Sequence, residues 1–204
     1  MSTELLQRCM EGHRRVFDQI EGRRTEIATV AERLSQCLRD GGKILLCGNG
    51  GSAADCQHLA AEFTGRFQAE RPPLAALALT TDSSALTCIG NDYGFEHVFA
   101  RQVHALGRPG DCLVGISTSG RSANVRLAMA AARERGLSTI GLLGRDGGDI
   151  APLCDLAVVV PGADTARIQE AHLFVEHAWC ALVEQALSEQ PSRQGIPHAH
   201  RHDQ

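Results

Sequence analysis

Residues 111–122 read Asp-Cys-Leu-Val-Gly-Ile-Ser-Thr-Ser-Gly-Arg-Ser, an apolar run followed at once by a cluster of hydroxyl side chains. The run is short and β-prone, which predicts a buried strand at 112–116. The alanine-rich segment 122–135 behind the cluster predicts a helix. The hydroxyl cluster is therefore expected in the loop at the carboxyl end of a strand, where open α/β sheets bind their ligands.

This loop has the composition of a phosphate-binding site. Its hydroxyl donors are Ser117, Thr118, Ser119 and Ser122, and Gly120 lets the backbone approach a ligand closely. A helix that starts near Ser122 directs its unpaired N–H groups and the positive end of its dipole to the same place. The alternative is that Ser119 or Ser122 only caps the helix. Four hydroxyls in six residues are more than one cap requires, which favours the phosphate interpretation.

Around this loop, apolar segments alternate with segments of helical periodicity. The predicted strands are 43–47, 74–79, 112–116, 138–143 and 156–160. The predicted helices are 52–67, 95–106, 122–135 and 166–187, with a short helical turn before residue 89. Strands that are apolar throughout are typical of a parallel sheet covered on both faces. The prediction is an α/β fold, a three-layer α/β/α sandwich with a five-stranded parallel sheet.

The N-terminal segment 4–38 has apolar residues at helical spacing and predicts two amphipathic helices, or one with a weak point near Gly22. No strand precedes it, so residues 1–40 are expected to pack on a partner subunit. The ligand-binding domain is expected at 41–190, followed by a loose tail at 191–204. The tail contains His198, His200 and His202, for which only adventitious metal binding is expected.

Composition limits the kind of ligand. The chain has 204 residues, 43% of them hydrophobic, and a formal net charge of −4, which argues against a broad nucleic-acid or anionic-membrane surface. No apolar stretch has the length of a membrane span or a signal peptide, so a cytoplasmic protein is expected. The eight cysteines are scattered without a Cys-x-x-Cys pair, which argues against a zinc ribbon.

Two more polar loops are predicted at the carboxyl edge of the sheet. Residues 48–52, Gly-Asn-Gly-Gly-Ser, follow the first strand and suit an anion or a sugar hydroxyl, although they lack the spacing of a dinucleotide site or a P-loop. Residues 90–92, Gly-Asn-Asp, offer an amide and a carboxylate for hydroxyl groups. An Asx turn explains Asn91 and Asp92 equally well.

Two helices carry candidate acid, base and metal-binding groups. His58 and Glu62 are four residues apart, so they lie one helical turn apart on one face and can share a proton or a metal ion. A local surface contact explains the same spacing. The last predicted helix carries Gln169, His172, Glu176 and His177 among apolar residues, and such polar groups need partners if they are buried.

Taken together, these motifs resemble the sugar isomerase (SIS) domain family and, within it, the bacterial phosphoheptose isomerases. The resemblance covers nearly the whole chain. The motifs that carry it are Cys-Gly-Asn-Gly-Gly-Ser-Ala-Ala-Asp at 47–55, His58-x-x-x-Glu62, Gly-Asn-Asp-Tyr-Gly at 90–94, the loop 115–122 and Arg-Ile-Gln-Glu at 167–170.

The resemblance implies a function and a set of site residues. The function is conversion of sedoheptulose 7-phosphate into D-glycero-D-manno-heptose 7-phosphate through an enediol, the first step towards ADP- or GDP-heptose, with the end product left open. Glu62 and His177 are implied as the acid–base pair, and one zinc ion per subunit as the cofactor. The implied zinc ligands are His58, Glu62, Gln169 and His177. The implied substrate contacts are Asn49, Gly50, Gly51, Ser52, Glu62, Asn91, Asp92, Ser117, Thr118, Ser119, Ser122 and Gln169.

The spacing on the last helix conflicts with one part of this set. Gln169 and His177 are eight residues apart, about 12 Å along a straight helix, which is near the limit for two ligands of one ion. Three explanations remain: the helix begins after Gln169, the ligands come from different subunits, or His172 takes the place of His177. Following the family, we predict His177 and a site built between subunits of a homo-oligomer, expected to be a tetramer. Some members have Asp where Ala166 stands here, and Asp164 is the neighbouring candidate to replace it.

Two other functions share the fold. Some relatives are scaffolds that bind the bacterial replication initiator, and they are expected to lack the acid at Glu62 and the histidine at His177, both of which are present here. Sugar-phosphate-sensing regulatory domains are the third possibility, and these are commonly attached to a second domain for which this chain has no room. The sequence therefore favours the isomerase.

Overall fold

A computed structural model of the chain describes residues 3–188. Its helices are α1 (Thr3–Ile20), α2 (Arg24–Arg39), α3 (Gly51–Thr64), α4 (Ser83–Tyr93), α5 (Ala100–Leu106), α6 (Ala123–Glu134) and α7 (Thr165–Ser188). Its strands are β1 (Ile44–Gly48), β2 (Ala76–Ala78), β3 (Cys112–Ser117), β4 (Ser138–Gly144) and β5 (Leu156–Val160). Short 3₁₀ helices cover Glu21–Arg23, Phe95–His97 and Ala151–Leu153. Within residues 3–188, none of the helices has the length and apolar character of a membrane span.

The five strands form one parallel sheet in the order β2-β1-β3-β4-β5. β1 and β3 are buried along their whole length, as the continuous apolar runs predicted. Because all strands point the same way, the loops after β1, β3 and β4 open at one edge, which we call the carboxyl edge. The predicted three-layer α/β/α fold is confirmed.

Each face of the sheet has its own core. On one face, Ile44 and Leu46 of β1 pack with the helices α1, α2, α3 and α7, and on the other, Leu45 packs with α5 and α6. This alternation follows from the two-residue period of a strand. Since α3 and α7 cover the same face and contact each other, the two helices that carry the candidate acid–base groups lie side by side.

Four predicted boundaries were wrong. The strand expected at 74–79 is shorter, Ala76–Ala78. Residues 90–92, expected as a loop, lie inside α4, because the Asp82 side chain caps that helix and it continues until Gly94 at φ +93°. The helix expected at 95–106 is divided into a 3₁₀ turn and the short α5. The helix expected to reach residue 67 ends at Thr64, so Phe67 belongs to a loop. The tail at 191–204, with its three histidines, lies outside the described residues.

A buried ion pair ties the loop after α3 to α7. The Glu184 carboxylate accepts hydrogen bonds from the backbone N–H groups of Phe67, Gln68 and Ala69 and from Arg71 Nε, all at 2.9–3.0 Å. Burial of the carboxyl opposes ionisation, but the three backbone donors and the Arg71 charge outweigh it and lower the pKa of Glu184. The ionised form is therefore the one that the fold stabilises.

Glu184→Gln is expected to lower the free energy of unfolding by about 3 kcal/mol at pH 7, since it leaves Arg71 buried without its counter-charge. Because the pKa of Glu184 is lowered on folding, its contribution is complete above the unfolded value near 4.5 and disappears as the pH falls through the folded value. Urea unfolding at pH 7, 5 and 3.5 should give a difference that shrinks at the lowest pH. Glu32→Gln, an exposed carboxyl on α2, is the control, and an equal loss in both variants would contradict the argument.

Candidate active site

The hydroxyl cluster after β3 folds back on itself. Ser117 Oγ lies 3.0 Å from Ser122 Oγ and 3.4 Å from Ser119 Oγ, and it accepts the backbone N–H of Gly120 at 3.2 Å. Ser122 is the N-cap residue of α6 but makes no side-chain cap hydrogen bond. The alternative role as a simple helix cap is therefore not what Ser122 does here, and three hydroxyls converge where a helix N-terminus presents its N–H groups.

The loop rests on the loop after β4. Gly120 has φ +67°, and a side chain there would overlap the Gly147 carbonyl and approach the Gly148 nitrogen to 2.7 Å. The Gly120 carbonyl also accepts the N–H of Ile150 at 3.1 Å. An ion pair between Arg121 and Asp146, with two contacts at 3.0 and 2.8 Å, joins the same two loops on the surface. The path of the hydroxyl loop is thus set by close backbone contacts that only glycine permits.

The loop after β1 joins this region through a pair of amides. Asn49 and Asn124 exchange two hydrogen bonds of 2.8 Å, so the first turn of α6 is tied to the end of β1. A cleft of about 340 Å³ opens beside them, lined by Asn49, Phe95, Glu96, Ser122, Ala123 and Asn124. The predicted polar contact at Asn49 and the hydroxyl loop therefore share one cleft at the carboxyl edge.

Asn91 and Asp92 are not part of this cleft. They lie exposed on α4, where the Asn91 amide donates to Asp92 at 2.7 Å. Apart from this mutual hydrogen bond, no hydrogen bond or ion pair among residues 3–188 connects Asn91 or Asp92 with another predicted site residue. The predicted substrate contact through Asn91 and Asp92 therefore stays a prediction.

The acid–base residues meet on the facing sides of α3 and α7. The Nε2 atoms of His58 and His177 are 2.8 Å apart, and Glu62 Oε1 lies 3.7 Å from the same His58 nitrogen. The two imidazole rings meet edge to face at 5.1 Å, and Phe67 stacks on the His177 ring at 5.5 Å. Glu62 is half-buried, which leaves its carboxylate reachable from solvent. This group, His58, Glu62 and His177, has the parts needed to take up and return a proton.

Gln169 lies nearer the start of both helices. Its amide donates to both carboxylate oxygens of Asp55, at 3.0 and 3.2 Å, and a side chain on Gly51 would collide with it. Burial raises the pKa of Asp55, and the hydrogen bond from Gln169 and the charge of His58 offset part of this. The first turn of α3 contains Gly51, which lies next to Gln169, and the buried Ser52. Gly50 precedes the helix and has φ +56°.

His172 and His177 lie in different surroundings: His172 is buried in the core, whereas His177 faces His58. α7 begins at Thr165, so Gln169 is helical and the explanation of a later helix start is wrong. His172 is fully buried beside the Leu143 backbone, and the buried carboxylate of Glu176, one turn later, has no hydrogen-bond partner among residues 3–188. Burial lowers the pKa of His172 to about 4. Burial and the nearby charge of Asp55 raise the pKa of Glu176 to about 9. Both side chains are therefore neutral at pH 7. Asp164 accepts the N–H of Ala166 at the start of α7.

The two halves of the candidate site are separated within one chain. α3 starts at the carboxyl edge and runs away from it, so Glu62 lies three turns further on, about 16 Å along the helix axis from Gly51. His177 lies at the same level, since it contacts His58. A single chain therefore presents a hydroxyl loop at one end of α3 and the acid–base residues towards the other.

The expected zinc ligands have donor atoms that zinc prefers, but the four side chains do not all converge on one point. Zinc prefers imidazole nitrogen and carboxylate oxygen, and the facing Nε2 atoms of His58 and His177 beside Glu62 supply three such donors. Gln169 is engaged by Asp55 instead. In the described part of the chain, no three His, Cys, Asp or Glu side chains are already arranged as a metal site. The donor set fits zinc provided that its side chains adjust and a fourth ligand turns towards it.

Three residues of this region had no role in the sequence analysis. Asp55 precedes His58 by three residues and Glu62 by seven, a spacing that puts it on the same helix face and that was a usable signal. Asn124 and Phe67 carry no local signal, because their partners Asn49 and His177 come from distant parts of the chain.

Comparison with known proteins identifies relatives over most of the chain. A family model described as SIS domain matches residues 10–144. A phosphoheptose isomerase from Trichlorobacter lovleyi is 52% identical over 179 residues, which are 87% of this chain and 91% of that protein.

Solved structures agree. A phosphoheptose isomerase from Neisseria gonorrhoeae superposes with a TM-score of 0.85 at 52% identity, covering 89% of this chain and 98% of that one. One from Francisella tularensis gives a TM-score of 0.87 at 36% identity, covering 91% of this chain and all of the other.

Proposed function

This chain belongs to the SIS domain family and, within it, to the phosphoheptose isomerases, and we propose that it interconverts sedoheptulose 7-phosphate and D-glycero-D-manno-heptose 7-phosphate. The reaction is an aldose–ketose isomerisation that supplies precursors of ADP- or GDP-heptose. The observation that carries the proposal is the grouping of a carboxylate and two imidazoles, Glu62, His58 and His177, in a chain that also has a hydroxyl loop at a helix N-terminus.

In the proposed mechanism, Glu62 and His177 move protons between neighbouring carbons and oxygens. Glu62 removes a proton from carbon 1 of the ketose while His177 protonates the carbonyl oxygen on carbon 2, which gives an enediol. Glu62 then returns the proton to carbon 2 and His177 takes the hydroxyl proton from oxygen 1, which leaves the aldehyde. No atom is gained or lost. Both groups end in their starting state.

The hydroxyl loop is proposed to bind the phosphate. Ser117, Ser119 and Ser122 would release their mutual hydrogen bonds and donate to the phosphate oxygens, with Thr118 beside them. The N-terminus of α6 adds unpaired N–H groups and a favourable dipole. Asn49, Gly50 and Gly51 are proposed to contact the sugar next to this loop. The sugar then lies across the carboxyl edge.

Zinc is proposed to be held by His58, Glu62, Gln169 and His177. When bound, such an ion supplies Lewis-acid polarisation of a carbonyl or hydroxyl oxygen. A carboxylate that is shared with a metal is a weaker base, so Glu62 cannot be a full ligand and a free base at once. Gln169 would have to leave Asp55 to take part.

A second copy of the chain is proposed to complete the site, in a tetramer. Glu62 lies about 16 Å along α3 from the start of that helix, which separates the acid–base residues from the hydroxyl loop. Within residues 3–188, Asn91 and Asp92 bond each other but form no hydrogen bond or ion pair with the hydroxyl loop or the acid–base residues. α1 meanwhile exposes Leu5, Leu6 and Met10 to between 45% and 61%, as expected for a helix that packs on another subunit.

Leu6→Asp combined with Met10→Asp is expected to dissociate the oligomer and to lower turnover at least 10-fold, because two charges would be buried at the interface. Light scattering gives the mass, and the isomerase assay gives the activity at the same concentration. Arg8→Asp, which changes the charge of an exposed residue on the opposite side of α1, about 160° around the helix from Leu6 and Met10, should change neither. A monomeric double variant with full activity would exclude a site shared between subunits.

The direct test is incubation of the purified protein with sedoheptulose 7-phosphate, following aldose formation with and without a chelator. Turnover that is lost with chelator and restored by Zn²⁺ is the expected result. Metal analysis of the same preparation shows whether zinc is bound, without relying on the activity assay. Product formed at the same rate with and without chelator would contradict the proposed need for zinc but would support the proposed isomerase activity.

No product under either condition would favour the scaffold that binds the replication initiator, the alternative from the sequence. Relatives of that kind are expected to lack the residues corresponding to Glu62 and His177, whereas here these side chains are grouped around His58. A cytoplasmic location remains the expectation from the sequence.

A further inference from the structure

We propose that Phe67 is a positioning residue for His177: its ring, held by the Arg71–Glu184 ion pair, covers one face of the imidazole and fixes the direction of Nε2. The inference rests on the proposed role of His177 in proton transfer. It adds a residue that neither the motifs nor the comparisons assign.

The first step is the freedom of the His177 ring. The terminal torsion of a histidine side chain is broad and roughly two-fold, so the helix alone does not decide where Nε2 points. His177 is half-buried on α7, with His58 at its Nε2 edge and Phe67 against its face at a centroid distance of 5.5 Å and an angle of 28°. The stacked ring leaves the Nε2 edge open towards His58 and Glu62.

The second step is the rigidity of the loop that carries Phe67. A ring on a mobile loop would position nothing, but three consecutive backbone N–H groups, beginning with that of Phe67, donate to the buried Glu184 carboxylate. The side chain of Glu184 is 7% exposed and that of Arg71 is 10% exposed. Charge-assisted hydrogen bonds in such a dry place are strong, so the loop is fixed to α7 two turns after His177.

The third step links the same loop to the proposed base. The Arg71 guanidinium donates to the backbone carbonyls of Glu62 at 2.7 Å and of Phe63 at 2.9 Å, at the C-terminal end of α3. A cation there satisfies carbonyls that have no helical partner and interacts favourably with the helix dipole. Arg71 thus ties the loop to the helix that carries Glu62, while Glu184 ties it to the helix that carries His177. The Phe67 ring is fixed relative to both proposed proton-transfer groups.

The competing explanation is that Phe67 only fills space beside the core. It is half-buried and does pack against core residues. The two explanations differ in what they require of the side chain. Filling space needs volume, which leucine nearly supplies, whereas holding an imidazole by its face needs a flat ring, which tyrosine retains and leucine lacks.

The experiment compares Phe67→Leu, Phe67→Tyr and wild type in the isomerase assay. Phe67→Leu is expected to lower kcat about 10-fold, because a small misplacement of a catalytic group slows the chemical step strongly. KM should stay within a factor of two, because the hydroxyl loop that is proposed to bind the phosphate is unchanged. Phe67→Tyr is expected to retain kcat within a factor of two. Phe17→Leu is the matched control, since Phe17 likewise stacks on a histidine, His13 at 4.2 Å, and its other ring contact is with Phe174 and not with His177; it should not change kcat.

A spectroscopic measurement separates failure of this inference from failure of the proposed function. The His177 Hε1 resonance, assigned by its loss in His177→Asn, should lose its ring-current shift in Phe67→Leu and keep it in Phe67→Tyr. An unmoved resonance in folded Phe67→Leu would overturn the inference, as would a kcat equal to wild type, or a tyrosine variant as slow as the leucine variant. If the wild type itself shows no turnover, the proposed function fails and the resonance alone decides whether Phe67 orients His177.

Discussion

Glu62→Gln is expected to reduce kcat by about three orders of magnitude while the protein remains folded. Glutamine has the shape of glutamate but cannot accept a proton from carbon, and general-base catalysis contributes a factor of about 10² to 10⁴. Among residues 3–188, Glu62 forms an ion pair with His58 at 3.7 Å and its carboxylate is half-buried, so the substitution is expected to leave the packing of α3 unchanged. The measurement is steady-state turnover of sedoheptulose 7-phosphate, with thermal unfolding and zinc content determined on the same samples.

Glu134→Gln is the matched control for this variant. Glu134 also lies near a histidine, His104 at 3.8 Å, but this pair is exposed on the surface at α5 and α6 and is remote from α3 and α7. We expect kcat to be unchanged there. Turnover within 10-fold of wild type in Glu62→Gln would remove Glu62 as the base and would leave His177 as the only proposed proton carrier.

Gly120→Ala is expected to raise KM for the sugar phosphate about 100-fold and to lower the free energy of unfolding by about 3 kcal/mol. Alanine is strained at φ +67°, at a cost of about 1–2 kcal/mol. Its Cβ would in addition overlap the Gly147 carbonyl, and since that atom belongs to backbone, one of the two loops must move. Because Gly120 lies between Ser119 and Ser122, the movement would separate the hydroxyls proposed to bind phosphate.

Gly41→Ala is the control that separates the backbone strain of a positive φ from the displacement of the hydroxyl loop. Gly41 has a similar φ of +80°, but apart from its chain neighbours no atom of residues 3–188 lies within 4 Å of a Cβ built there. It should therefore cost about 1 kcal/mol of stability and leave KM unchanged. A Gly120→Ala variant with the stability loss of Gly41→Ala and wild-type KM would show that the loop does not hold the phosphate.

The sequence predicted the parts of the site that depend on local pattern. Apolar runs such as 112–116 are strands because they are short, β-prone and bounded by glycine and polar residues, and their parallel arrangement follows from the helices between them. That arrangement alone places Ser117 and Asn49 at one edge of the sheet. The i, i+4 spacing of His58 and Glu62 likewise determines that they share a helix face, as they do.

Other predictions failed because nearby residues give an ambiguous signal. Gly-Asn-Asp at 90–92 has the composition of a turn, yet these residues are helical because Asp82 starts a helix that only Gly94 ends. Turn-forming residues lower helix propensity by less than 1 kcal/mol each. A cap and the packing of neighbouring residues are enough to override them.

By itself, the sequence thus determined the strands, the parallel sheet and the position of the hydroxyl loop, since these follow from periods of two and 3.6 residues read along the chain. Long-range packing places His177 opposite His58 and turns His172 and Glu176 into the core. It also brings Gln169 to Asp55 and Phe67 to His177. The reason is that the rotation of α7 about its axis is set by which of its faces buries the most apolar surface against α2, α3 and the sheet. The rotation of α7 therefore depends on residues such as His58 and Asp55, more than a hundred positions away, and no short stretch of the sequence contains them together with α7.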